Sequence, residues 1–306
     1  MTWITDLVNL ETGNAHLAVT SRDEQEIRTS FRHMVARNGS IAVEGEGLDG
    51  DIAAFVKDEV ARLERWKNLP TIQMEIENKL VAKANGMFRY VACQIRELED
   101  CLEPDALREA LQNLPKDLNE IYSRILSRMP NGYQEKTIRL LQFLIYSPNS
   151  LSIEELVDAV AVKVDKQPAF ESANRMPEPI ELAKYCSSLI KLIISDSESI
   201  TKAKVRLAHF TVQEYLVKYS NHSSKFTETA ARADMAIVCM SYLRDIDYDS
   251  PVSQLTISFP FMTYSSKNWM SHAAASEHEK DVLGKTTDFM RDCSDLCHEY
   301  WTSIYG

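Results

Sequence analysis

The chain has 306 residues, 44% of them hydrophobic and 26% charged, with a formal net charge of −11. That length supports about two or three modules with a buried core, and the acidic balance disfavours nonspecific attraction to DNA, RNA or anionic lipid. The longest apolar run, Leu140 to Tyr146 interrupted by Gln142, is far too short to cross a bilayer, and Met1-Thr-Trp-Ile-Thr-Asp6 lacks the basic and apolar regions of a signal peptide.

Residues 1–65 read as an α/β piece. His16-Leu-Ala-Val-Thr20 has the pattern of a short strand, and Ser21 with Glu24 has capping-box spacing for a helix to about Val35. Ser40-Ile-Ala-Val-Glu44 reads as a second strand, and Asp51-Ile-Ala-Ala-Phe-Val56 as the start of a second helix. Strand, helix, strand at this spacing is a βαβ unit, which belongs in a parallel sheet. Two strands do not make a stable sheet of that kind, so the expectation is the C-terminal remnant of a larger one.

Residues 66–130 turn helical. Leu80, Ala84, Met87, Val91, Ile95 and Leu98 recur at three and four residues as one apolar stripe. Leu107 and Leu111 mark a short helix, and Leu118, Ile121, Tyr122, Ile125 and Leu126 another. Pro130-Asn-Gly132 breaks the pattern.

Residues 131–220 give a different order. A helix carries Ile138, Leu141 and Ile145, and a second starts at the capping box Ser152-Ile-Glu-Glu155. A polar loop from Lys163 to Glu178 leads to a third helix through Ile180, Tyr185 and Leu189. Lys191-Leu-Ile-Ile194 and Val205-Arg-Leu-Ala208 flank a polar stretch as a β-hairpin with a wing-like tip. Three helices and such a hairpin make a winged helix. Residues 221–306 read as mostly helical, broken from Pro251 to Phe261. The fold expected is therefore mainly α: a βαβ remnant, a helical domain, a winged helix and a C-terminal helical region.

Catalytic patterns are weak. Gly45-Glu-Gly-Leu-Asp-Gly50 has the formal G-x-G-x-x-G spacing, but Glu44, Glu46, Asp49 and Asp51 crowd the turn and would repel a pyrophosphate, so it reads as an acidic surface loop. No G-x-x-x-x-G-K-[ST] and no G-x-S-x-G occurs, so no enzymatic activity is expected. Cys293 and Cys297 with His298 lack a second pair of ligands and read as buried thiols, so no metal is expected. Six cysteines without regular spacing fit a reducing compartment, and a cytoplasmic protein is expected.

The most informative segment is Val205-Arg-Leu-Ala-His-Phe-Thr-Val-Gln-Glu-Tyr-Leu216, a strand feeding a helix. Thr211 with Glu214 has capping-box spacing and is the expected N-cap, with His209 at the joint. By itself His209 also reads as a satisfied core histidine, and Arg22, closing the first expected strand, as an ordinary surface arginine.

Taken together, these pieces resemble the distal half of a fungal NACHT-type STAND NTPase, a signalling family. Leu17-Ala-Val-Thr-Ser-Arg22 resembles its sensor strand, and Asp51-Ile-Ala-Ala-Phe-Val56 the segment closing its sheet. Lys83-Ala-Asn-Gly-Met-Phe88 and Leu114-Pro-Lys-Asp-Leu118 resemble its helical domain. Ser152-Ile-Glu-Glu-Leu156 and Leu207 to Leu216 are similar to its winged helix, of the type named after GPI inositol-deacylase.

The resemblance implies phosphate contact by Arg22 and His209, with His209 helping to hold a bound nucleoside diphosphate. It also implies that the P-loop half would precede Met1, so both residues are expected to be vestigial, and ADP or ATP to bind only if that half is supplied. The family's proline two residues after the helical-domain glycine is replaced by Phe88. The function expected is a non-catalytic regulatory or interaction fragment whose winged helix is a switch acting through protein contacts. Protein partners or self-association are expected, and neither nucleic acid nor membrane. The alternative is part of an active NTP-binding switch whose P-loop half is missing. A DNA-reading winged helix is disfavoured because Lys184 and Lys191 are offset by Glu178 and Glu181.

Overall fold

A computed structural model gives the fold and describes residues 18–22, 24–31, 41–43, 45–186, 188–194, 202–248, 251–293 and 300. Two compact units divide the chain, one up to Phe88 and one from Arg89. Among the described residues the protein is mainly α, with a single two-stranded antiparallel sheet.

The first unit contains α1 (Gln25–Phe31), α2 (Glu46–Ala61) and α3 (Pro70–Ala84). Its core follows from two stripes at four-residue spacing. Ile52, Val56 and Val60 of α2 and Ile72, Ile76, Leu80 and Ala84 of α3 are all buried, with Trp66 from the turn between them. The helix expected after Ser21 is present as α1, though it buries none of its residues.

The expected strands are not formed where they can be seen. Residues 18–20 and 41–43 have no regular secondary structure. Val19, Ile41 and Val43 stand 49%, 86% and 78% exposed. A strand needs a neighbour for its hydrogen bonds, and the described residues of this unit supply none. Positions 16, 17, 40 and 44 lie outside the described residues.

The second helix starts at Glu46, earlier than the expected Asp51. Residues 46–50 of the formal glycine motif are therefore helical, and only Gly45, at φ 89°, precedes them. The stretch is a helix start, not the acidic loop expected.

The stripe from Leu80 to Leu98 covers two helices. Asn85 ends α3 in the left-handed region at φ 44°, and Gly86 follows at φ 74°. A glycine suits that φ, and a Cβ there would stand only 3.4 Å from Leu48 Cδ2.

The second unit begins within α4 (Phe88–Glu99), whose first residue still belongs to the first unit, and α5 (Pro104–Gln112) and α6 (Leu118–Ser127) follow. Pro104 opens α5, and the Asp117 carboxylate caps α6 by accepting from the Glu120 amide at 2.8 Å. The buried Tyr90 phenol donates to the Pro115 carbonyl at 2.7 Å, and burial raises its pKa to about 12, so it remains a donor.

Next comes α7 (Gln134–Tyr146), then α8 (Ile153–Ala161), whose capping box forms as expected: the Ser152 hydroxyl accepts from the Glu155 amide and the Glu155 carboxylate from the Ser152 amide. The hairpin is β1 (Ile190–Ile193) with β2 (Lys204–Leu207), antiparallel with Ile190 opposite Leu207 and Ile193 opposite Lys204. Its expected wing tip, residues 195–201, lies outside the described residues. On its other side β2 holds the entry to α8, since Val205 N donates to the Leu151 carbonyl at 2.9 Å and Ile153 N to the Ala203 carbonyl at 3.0 Å.

One element differs in kind. The third helix expected through Leu189 is a 3-10 turn, Pro179–Tyr185. Pro177 and Pro179 delay its start, and β1 must be reached by Ile190, so no room remains for a longer α-helix.

After α9 (Phe210–Lys218) the remaining helices are α10 (Glu228–Arg244), α11 (Val252–Ser258), α12 (Met262–Ala274) and α13 (Lys280–Asp292). α10 is the hub of this unit, packing on α7, α12 and α13 with Ala231, Met235, Val238, Cys239, Tyr242 and Leu243 buried. The break expected from Pro251 holds a helix instead, because Pro251 stands just ahead of α11, where its missing N–H costs nothing.

Candidate functional site where α6 meets α9

The segment singled out by the sequence becomes the joint between β2 and α9. The N-cap of α9 is His209 and not Thr211: His209 is extended at φ −160°, and its Nδ1 accepts from the Thr211 amide at 3.3 Å. Thr211 sits inside the first turn, which frees its hydroxyl for longer-range contacts. Thr211 Oγ1 lies 2.9 Å from His209 Nδ1 and 2.8 Å from the Tyr122 phenol on α6.

The direction of this chain follows from its end. Nδ1 already accepts from an amide, so it carries a lone pair and the Thr211 hydroxyl must donate to it. Tyr122 then donates to Thr211. The ring of Tyr122 is buried and lies 5.6 Å from that of Tyr215 on α9, so an apolar contact backs the polar one.

A second polar cluster fixes the loop after α8. Asp158 is 1% exposed and receives both ends of the Arg175 guanidinium, at 2.5 and 2.9 Å. The Tyr242 phenol of α10 donates to the same carboxylate at 2.5 Å, and Arg175 also donates to the Ser258 carbonyl at 2.7 Å. Burial first, and Asp158 next, push the Tyr242 pKa well up, so it remains a donor. Arg175 further stacks over Phe170 and Phe259. The cluster ties α8, its loop, α10 and the end of α11 together.

Sequence reading did not find this cluster, yet a signal was there. Asp158 interrupts the apolar run Leu156-Val-Asp-Ala-Val160 on a helix that the core surrounds, and an acid in such a place needs a cation.

The two residues assigned to phosphate fall in different units. Arg22, in the first, is 54% exposed in its side chain and faces Glu24 at 3.6 Å. His209, in the second, has its Nδ1 engaged as described. Taken alone, they offer a nucleotide one guanidinium already beside a carboxylate and one ring nitrogen already accepting, so the fit to phosphate depends on further groups. Among the described residues no cluster of His, Cys, Asp and Glu could hold a metal ion, and no helix is long and apolar enough to cross a membrane.

Two helices, a helical turn, an antiparallel hairpin and a following helix define a winged helix. The comparison with known families agrees: residues 126–229 match the family described as GPI inositol-deacylase, winged helix domain. The chain is also 29% identical over 204 residues, 64% of its length, to azaphilone pigments biosynthesis cluster protein L of Monascus ruber. It covers 43% of that protein, so it spans less than half the length of this curated relative. No solved structure matches significantly.

Proposed function

We propose that the chain is a non-catalytic regulatory part of a NACHT-type STAND signalling protein, with its winged helix serving as a switch or clamp through protein contacts. The observation that carries this reading is the Tyr122–Thr211–His209 chain, which fastens the helical segment to the first turn of α9. Its links are neutral hydroxyls and one imidazole, so it opens without stranding a buried charge, as a reversible clamp must. The recognition element of a DNA reader is here a seven-residue 3-10 turn in which Lys184 is paired with Glu181 at 2.5 Å, which favours a protein partner over nucleic acid. The exposed Ile41 and Val43 in the first unit favour self-association or a partner covering them. We place the protein in the cytoplasm, in keeping with the free thiols of Cys93, Cys101, Cys186 and Cys239 among the described residues.

The test is turnover and binding by the purified chain. The expected result is no hydrolysis of ATP or GTP and no rise in melting temperature with ADP. Turnover that survives purification and vanishes on Arg22→Ala would contradict the reading. The second reading, in which Arg22 and His209 hold a nucleotide beside a separate phosphate-binding half, is favoured by the relative's greater length. Supplying such a half in trans would then give ADP stabilisation that both R22A and H209A abolish.

A further inference from the structure

The second unit contains a cavity of about 710 Å³, between α4, α6, α7, α8 and the Pro179–Tyr185 turn. Its volume is in the range that holds a small molecule. One wall is apolar, formed by Ile121, Ile125, Val157, Val160 and Ala161. The rings of Tyr133 and Tyr185, 5.1 Å apart and tilted by 42°, line it as well and add aromatic faces for contact.

The charge lining the cavity is opposite in sign to that of the chain. Arg96, Arg124, Arg128, Lys136, Arg175 and Lys184 line it, against Glu97, Asp100 and Glu181. Arg96 is engaged within the protein, and four more of these cations form ion pairs. Arg124 pairs with Glu120 at 2.6 Å, and Arg128, Arg175 and Lys184 pair with Glu97, Asp158 and Glu181 at 2.5 Å each. Lys136, half-buried on α7, forms no ion pair among the described residues. An ammonium that lines a largely apolar cavity without an ion-pair partner favours an anion. Asp100, the lining carboxylate that forms no ion pair among the described residues, opposes a multiply charged polyphosphate, which limits the charge to one.

We propose that this cavity binds an amphipathic organic monoanion, its flat apolar body against Ile121, Ile125, Val157 and Val160 beside the two tyrosine rings, its acidic group at Lys136. The occupant touches α6, α7 and α8 together, so it braces the helical segment against the winged helix. The site goes beyond the clamp proposed above, since its ligand is defined by the cavity and not by Tyr122, Thr211 or His209.

The probe is anthracene-2-carboxylate, titrated by fluorescence into the full chain, with anthracene-2-carboxamide as its neutral match. Saturable one-site binding of the carboxylate is expected, about ten-fold weaker for the amide and for the carboxylate with Lys136→Met. Ile125→Trp, which fills the cavity, removes binding. The methyl NMR signals of Ile121 and Ile125 in the unmodified chain shift on titration, a readout that no folding defect of a variant can produce. ADP at the same concentration displaces none of the probe. Absence of saturable binding, equal or tighter binding of the amide, unmoved Ile121 and Ile125 methyls, or displacement by ADP overturns the proposal.

Discussion

At the scale of single residues, the strongest commitments are the buried polar ones. Asp158 is held by a bidentate guanidinium and a phenol, so removing the guanidinium leaves a carboxylate inside the core with one neutral donor. Stranding a charge in this way typically costs about 3–5 kcal/mol. Arg175→Met is expected to destabilise the protein by roughly 3 kcal/mol, and the double change with Asp158→Asn by clearly less. Equal denaturant midpoints for R175M and the unmodified chain would show that the pair holds nothing.

His272 is the other case. It is 1% exposed, and its Nδ1 lies 3.3 Å from Arg232 Nη1, a group that only donates. The ring proton is therefore on Nε2, 2.9 Å from the Tyr264 phenol, which in turn lies 2.8 Å from Ser147 Oγ. Burial, then Arg232, lowers the His272 pKa from 6.5 to about 4. Above the unfolded value both states are neutral and nothing is lost. As pH falls from 6.5 towards 4 the unfolded chain takes up the proton first, and stability declines. Between about pH 7 and about pH 5 the loss is about 2 kcal/mol, and His272→Gln flattens that slope. Urea midpoints of the two proteins at both pH values give the answer, and parallel declines would remove His272 as the cause.

Secondary-structure elements show what local patterns could and could not reveal. The Ser152 capping box was legible because both halves of the motif are adjacent in sequence, and it forms as written. Ser152→Ala should cost about 1 kcal/mol, read from the shift in thermal midpoint. A larger loss would mean that β2, bonded to Leu151 and Ile153, detaches with it.

The Thr211 cap was misread because histidine is not a preferred cap type, yet extended backbone at His209 puts its imidazole in the capping position. Likewise the stripe through Leu80 and Leu98 kept its period across Asn85 and Gly86, where only positive φ reveals the break. Strands at 18–20 and 41–43 had the right residues and lacked neighbours. Long-range partners such as Tyr122 with Thr211, 89 positions apart, carry no local signature at all.

At the scale of the whole molecule, the account rests on the second unit. There the winged helix is bound on one side to α10 through Asp158, Arg175 and Tyr242, by buried charge. On the other it meets α6 through hydroxyls. The first attachment is costly to break and the second is cheap, so under the proposed clamp the winged helix would stay with the C-terminal helices while its contact with α6 opens. That asymmetry is the physical content of the clamp.

Amide hydrogen exchange on Tyr122→Phe tests it most directly, because the change removes one hydroxyl and leaves the ring in place. The account predicts faster exchange in α6 and in the first turn of α9 together, with α10 and α12 as protected as before. Exchange that accelerates throughout the second unit, or stays unchanged at α9, would contradict it.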